Sequence, residues 1–418
     1  MQTIESVERA VESVARESYG RLVAYLASRT RDPASAEDAL GDALLAALTT
    51  WPRDGIPASP EGWLLTAARN RLKDRARHRL VRRQSEVTLQ IIEESRDWED
   101  RGVLPEQRLN LMLVCAHPAI DSDMHTPLML QMVLGLDAAA IGRAFLIAPQ
   151  AMGQRLVRAK TKIRQAGIAF EIPDASLLPA RLGAVLNAIY AAFGDSWEDA
   201  NGADAHRAEL ADEAIWLARL LANLLPQEPE VRGLLALMLH CEARRPARRS
   251  ADGRYVPLAD QDCRLWRQSL IAEAEQQLAL AARKSLAGRF QLEAAIQSVH
   301  AERRLSGETQ WVAIAAFYDR LALLTGAVGA EVGRAAAHAE VEGPAVALKL
   351  LDQINPALSA SYQPYWAVRA HLLDRSGSEA PAVAAYSSAI ELTADEAVRG
   401  FLLQRRDAAA NISGGLSK

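Results

Sequence analysis

Apolar residues recur at helical spacing along almost the whole chain. In "DPASAEDALGDALLAALTTW" Ala and Leu fall at i, i+3, i+4 and i+7, behind Asp32 or Ser35 as a possible cap. The pattern predicts a helix over about 33–50. Pro52, Gly55, Pro57 and Pro60 are expected to break the chain after it. A second helix is predicted to begin near Glu61 in "EGWLLTAARNRLKDRARHRLVRRQ", with Trp63, Leu64, Ala67, Ala68 and Leu72 on its apolar side. After a segment of mixed pattern, helical periodicity resumes at Arg108 and holds to Gln165. Its last part, "LDAAAIGRAFLIAPQAMGQRLVRAKTKIRQ", reads as a short helix capped by Asp137, a turn at "LIAP" and a longer helix from Pro149. Short helix, tight turn and longer helix make a helix-turn-helix pattern. "AGIAFEIPDASLLP", with Gly167, Pro173 and Pro179, marks a boundary, and the remainder is helical in pattern.

Within that remainder, Ala370, Gly377, Ala382, Tyr386 and Ala389 in "RAHLLDRSGSEAPAVAAYSSAIEL" fall at the spacing of a tetratricopeptide (TPR) helix pair. "AAAHAEVEGPAVALKLLDQI" is a looser copy around Gly343. The expected fold is therefore all-α, with a TPR-like array at the C-terminal end. The expected divisions are a helical domain 1–86, a linker 87–106, a helix-turn-helix domain 107–168 and the helical array 169–418. A chain of 418 residues is long enough for several compact units. The linker is placed by charge: "SEVTLQIIEESRDWEDRGVLPEQ" turns abruptly acidic after the basic helix before it.

Charge changes the picture further. The chain carries a formal net charge of −4, so any face for nucleic acid must be local. Two local basic faces stand out. One lies on the helix after Pro60, with Arg69, Arg71, Lys73, Arg75, Arg77, Arg79, Arg82 and Arg83 relieved only by Asp74. The other is the long helix of the helix-turn-helix, with Arg155, Arg158, Lys160, Lys162 and Arg164. A helix in that position enters the major groove. Gln150 and Gln154 near its start suit base edges, and the later cations suit phosphates. The alternative is a solvated basic face on an ordinary helix.

Other chemistry is thinly represented. Cys115, Cys241 and Cys263 are far apart and form no CxxC, so neither a disulfide framework nor a zinc site is expected. Cys115 with His117, and His240 with Cys241, supply too few ligands for a metal. Asp260, Gln261 and Asp262 beside Trp266 read as caps or hydrogen-bond sites, lacking a nucleophile or base. Trp51, Trp63, Trp216, Trp266, Trp311 and Trp366 are expected in cores. No nucleotide-binding or hydrolase motif is present. No cofactor is implied, and the chain is expected not to be an enzyme. Without an apolar leader or a long uncharged apolar stretch, it is expected to be cytoplasmic and to span no membrane.

The order of these parts resembles an extracytoplasmic-function (ECF) sigma factor of bacterial RNA polymerase. The likeness lies in "DPASAEDALGDALLAAL", "WLLTAARNRLKDRARHR" and "LDAAAIGRAFLIAPQAMGQRLVRAKTKI", which look like sigma region 2 and the region 4 helix-turn-helix. "CAHPAI", "LLPQEPEVRGLLALMLH", "RRPARRSADGRYVPLADQDCRLW" and "EVEGPAVALKLLD" are similar to the long TPR-like extension of one ECF subgroup. The resemblance implies core RNA polymerase and promoter DNA as partners. It implies that Asp38, Asp42 and Leu45 face the polymerase. Arg69, Asn70, Lys73, Asp74, Arg75, Arg77 and Arg79 would meet the opened −10 element, with Asn70 and Asp74 as the polar pair. Gln150, Gln154, Arg155, Arg158, Lys160 and Lys162 would meet the −35 duplex. The array could contact the sigma domains within the chain, either clamping or bracing them. A helix-turn-helix regulator working without polymerase, and a TPR-like interaction scaffold, are the alternatives.

Overall fold

The computed structural model describes residues 4–80, 106–145, 147–168, 170–174, 176–197, 205–284 and 287–414. Among the described residues the fold is all-α; extended backbone pairs only in one isolated bridge, Arg249 with Tyr255. The chain folds as two compact units, Met1–Ala192 and Phe193–Lys418. The linker predicted at 87–106 lies outside the described residues except for Glu106, as do Arg82 and Arg83.

The first unit is built from α1 (Ile4–Thr30), α2 (Pro33–Asp54), α3 (Pro60–Leu80), α4 (Arg108–Cys115), α5 (His125–Leu134), α6 (Ala138–Ala144) and α7 (Pro149–Gln165), with the first part of α8 (Leu178–Trp197). Of the two candidate caps, Asp32 and Ser35, the structure uses Asp32, whose carboxylate accepts the Ser35 N–H at 3.0 Å. Pro52 does not break the chain as expected. α2 continues through it to Asp54 and stops at Gly55, at φ 88°. Pro52 has no N–H to give the Leu48 carbonyl, so α2 runs through it at the loss of one ladder hydrogen bond. Trp51, 1 % exposed, anchors that turn in the core and meets Trp63 of α3 edge-on at 5.5 Å. α1 packs on α2, α3, α4 and α5, and α2 packs on both α3 and α7. Leu22, Leu26, Leu40, Leu64, Leu111 and Met112 fill the space between them. Segments 4–80 and 106–165 thus share one core.

The second unit comprises α9 (Ala205–Leu224), α10 (Pro229–Ala243), α11 (Gln268–Ala281), α12 (Arg289–Ser306), α13 (Trp311–Thr325), α14 (Val328–Val341), α15 (Pro344–Asp352), α16 (Pro356–Ser359), α17 (Gln363–Arg375), α18 (Glu379–Leu392) and α19 (Glu396–Gly414). α12 packs most closely on α10, and from α13 onward each long helix packs mainly on its chain neighbours, as in a repeat array. Gly377, at φ 74°, turns α17 into α18, and the small residues Ala370, Ala382 and Ala389 let those helices close around Tyr386, all buried. Gly343, at φ 91°, makes the corresponding turn between α14 and α15. Trp51 and Trp266 are core residues as expected, but Trp216 is 37 % exposed. Ile215 and Leu217 take the core side of α9 and turn Trp216 outward. Asp262 is a cap, accepting the Arg264 N–H at 2.9 Å.

Candidate nucleic-acid interface

α7 is cleanly divided. Met152, Leu156, Ala159 and Ile163 are buried at i, i+4, i+7 and i+11. That stripe fixes which residues face outward. Gln150, Gln154, Arg155, Arg158 and Lys162 are all exposed. Gln150, Gly153, Gln154, Val157 and Arg158 line an open depression of about 500 Å³. Amides, an apolar strip and a cation side by side suit the edge of a base pair and its phosphate. Lys160 lies elsewhere. Its ammonium sits 2.6 Å from Glu37 Oε2 and 3.7 Å from Asp38 Oδ1 of α2. Arg164 Nε reaches Asp32 Oδ2 at 3.1 Å.

The turn before α7 depends on a residue that the pattern did not single out. Asp137 caps α6 by accepting the Ala140 N–H at 2.7 Å, as expected. The chain then folds back so closely that Ile147 N–H donates to the Gly142 carbonyl at 2.8 Å. A Cβ on Gly142 would stand 2.6 Å from the Ile147 carbonyl oxygen. Gly153, by contrast, has only the Ala138 methyl within 4 Å, at 3.7 Å. Gly142→Ala is therefore expected to destabilise the first unit by about 1–3 kcal/mol through overpacking. Gly153→Ala is expected to stabilise it by up to about 1 kcal/mol through helix propensity. Urea unfolding of the two variants checks the contrast; equal effects would contradict it.

On α3, Asn70 and Asp74 are exposed one turn apart, with Arg71 exposed beside them and Arg69 and Lys73 half-buried. Leu64, Leu65, Ala68 and Leu72 hold the opposite side in the core. The side chains of Arg75, Arg77 and Arg79 lie outside the described residues. At the start of α3, Glu61 takes Arg21 at 2.7 Å and the Ser18 hydroxyl, which ties α3 to α1.

The residues expected to face a polymerase lie along one edge of α2. Leu45 is 65 % exposed. Asp42, Leu45, Ala46 and Thr49 form a shallow depression with Arg71 of α3. Asp38 continues that edge toward α7. The spacing of four residues between Asp38 and Asp42 placed them together in the sequence; the contribution of Arg71 comes only from the packing of α3 on α2.

Electrostatics at the start of α2 follow the same contacts. Burial pushes the Asp32 carboxyl up, but hydrogen bonds from Ser35 and the Arg164 charge outweigh it and hold it below its ordinary value. Burial and the neighbouring Glu37 carboxylate push the Tyr19 hydroxyl well up. Its O–H donates to Glu37 Oε1 at 3.2 Å.

Among the described residues no group of three or more His, Cys, Asp or Glu is placed to hold a metal. Cys115 is fully buried with Sγ 3.9 Å from the Met132 sulfur, and burial pushes its thiol up. His117 Nδ1 accepts the Ala119 N–H at 3.0 Å. Among the described residues no helix is long and apolar enough to cross a membrane.

Comparison with known proteins adds three findings. The sigma-70 region 2 family matches residues 14–81, from within α1 to the end of α3. A family of unknown function, DUF6596, matches residues 181–282, from α8 to just past α11. The uncharacterized protein R00370 of Rhizobium meliloti (strain 1021) is 36 % identical over 412 residues, covering 96 % of this chain and 95 % of that protein.

Proposed function

We propose, on the premise that this chain belongs to one family with protein R00370 of Rhizobium meliloti and carries sigma-70 region 2 over residues 14–81, that it is an alternative sigma factor of the ECF type. It binds core RNA polymerase in the cytoplasm, directs it to a set of promoters and catalyses no reaction itself. The observation that carries the proposal is the region 2 match falling on α1–α3, the helices that present Asp42 and Leu45 on one edge and Asn70 and Asp74 on another. α7 supplies the complementary duplex reader, through Gln150, Gln154, Arg155 and Arg158. The TPR-like array of the second unit regulates or braces this activity. A modest basic surface is enough for such a protein, because the polymerase supplies much of the affinity and an acidic remainder limits non-specific binding.

Asn70 and Asp74 would read an unpaired base of the opened −10 element, with the neighbouring cations on the single-stranded backbone. The −35 contact gives the sharper test. With core polymerase, Gln154→Ala is expected to relax the choice of −35 sequence by about 1–3 kcal/mol per base pair read. Arg158→Ala is expected to weaken all promoters alike and to lower the salt slope by about one unit. Binding assays on matched and mismatched promoters across a salt series measure both. Identical sequence preference in both variants and the wild type would remove the assignment. Retention of sequence-specific binding with no affinity for core polymerase would favour an independent regulator instead.

A further inference from the structure

We infer that the second unit holds a binding site for a small-molecule oxyanion, a carboxylate or a phosphate group, centred on Arg244 where the end of α10 meets α12. The inference rests on the geometry of this unit alone and goes beyond the proposed function.

The cation itself is the first observation. α10 ends at Ala243, and Arg244, its C-cap, is only 7 % exposed. A guanidinium keeps its charge at such depth, so it calls for an anion or a full set of hydrogen bonds. Arg244 has neither. Its Nη2 donates to Gln297 Oε1 of α12 at 2.5 Å and lies 3.9 Å from Cys241 Sγ. Its Nε–H is buried with no partner. Among the described residues Arg244 makes no ion pair, and acids of α10 and α12 are given to other cations. Glu242 takes Arg245 at 2.7 Å and Arg267 at 3.0 Å, and Glu293 takes Arg289 at 2.7 Å.

The surroundings add donors and no compensating charge. Arg248 acts with Arg244 on the Cys241 thiol, which places the three groups together. Burial pulls the pKa of Arg248 down, as expected of a second cation short of solvent. Tyr318 of α13 also feels the Arg244 charge, yet burial pushes its hydroxyl up to about 12, so it keeps its proton. His300 of α12 is held neutral by burial and by Arg244. A neutral imidazole and a phenol can each donate one hydrogen bond to an anion. Cys241, Arg248, Gln297, His300 and Tyr318 are half-buried and keep some surface, which leaves a way in. The free Nε–H and the Nη2 beside it form the guanidinium edge that meets two oxygens side-on. Arg244 lies too deep for a broad surface contact, so the ligand must present a compact oxyanion.

The test is calorimetric titration of the full chain with sodium phosphate and with sodium succinate, against sodium chloride at equal ionic strength. At least one oxyanion should bind saturably and raise the unfolding temperature of the second unit, where chloride does not. Binding of phosphate alone assigns a phosphate ligand, and binding of succinate alone a carboxylate. Arg244→Met should weaken that binding about thirtyfold or more. Without ligand it should not lower the unfolding temperature, because an uncompensated buried charge is gone. A purely structural arginine would give the reverse: a less stable variant with unchanged binding. Arg254→Met removes an exposed charge, paired with Asp252, and should bind as wild type does. A response equal to that of chloride, or binding retained in Arg244→Met, would overturn the site. Should Arg244→Met fail to fold by circular dichroism, Arg244→Lys keeps the charge without the two-pronged edge. It should weaken binding about tenfold, and unchanged binding there would equally overturn the site.

Discussion

Gly20→Ala is expected to lower the stability of the first unit by about 2 kcal/mol, within the range for overpacking of a tight contact. α1 and α5 approach backbone to backbone at this point: a Cβ on Gly20 would overlap the Val133 carbonyl oxygen and crowd the Val133 carbonyl carbon and Cα. A carbonyl in a packed helix cannot swing aside as the end of a long side chain can, so the helices must separate. The next contact along the seam would be disturbed as well, because Gly135, at φ 76°, lies against the Tyr19 ring. Alanine is the better helix former by up to about 1 kcal/mol, which opposes the loss without cancelling it. Gly41 is the control. It sits inside α2 with nothing within 4 Å of where a Cβ would stand, so Gly41→Ala should gain stability. Denaturant titration of both variants gives the comparison, and a Gly20→Ala protein as stable as wild type would contradict the close packing of α1 on α5.

Acidification from pH 7.5 to pH 5 is expected to cost the second unit about 4 kcal/mol through His240 and His300. Both imidazoles have their pKa brought down to about 3, first by burial and then by neighbouring cations. Arg244 and Arg304 act on His240, and Arg244 and Arg303 on His300. His240, 1 % exposed, makes no hydrogen bond at either ring nitrogen; Glu275 Oε1, at 3.4 Å, lies outside bonding geometry. The sign follows from which state takes up protons. Below pH 6.5 the unfolded chain protonates both rings, while the folded chain keeps them neutral until about pH 3. Stability is therefore lost progressively as pH falls through that window. His338 works in the opposite direction. Burial lowers its pKa, but hydrogen bonds to Glu342 and Asp319 outweigh this and raise it. Its contribution is complete below pH 6.5 and lost as pH rises through the raised value. Thermal unfolding of wild type and of His240→Leu across this pH range tests the account. A leucine variant should show a shallower acid loss; an unchanged slope would remove His240 from it.

The helical class, the helix-turn-helix and the outward set Gln150, Gln154, Arg155, Arg158 and Lys162 were legible in the sequence. They depend on local chemistry: a 3.6-residue apolar period, an Asp cap at Asp137 and charges placed opposite the apolar stripe. The pairing of α17 with α18 was legible for the same reason, since Gly377 and the small residues around Tyr386 act within one neighbouring turn. Periodicity could not show that Trp51 keeps α2 helical through Pro52, because the core that holds Trp51 comes from other helices. Nor could it separate Lys160 from Lys162. Both are cations on one basic helix, two residues apart, yet Lys160 turns inward to Glu37 while Lys162 stays exposed, 3.3 Å from Asp121. That difference needs α2 packed beside α7, a contact spanning 123 positions of sequence. Gly142 and Gly20 were silent for a related reason: what each requires is the nearness of another backbone, at Ile147 and at Val133. The sequence by itself determined which elements form and which faces are apolar, because those follow from neighbours along the chain. Only the tertiary structure decided which charges are paired and which glycines are indispensable, because those follow from neighbours in space.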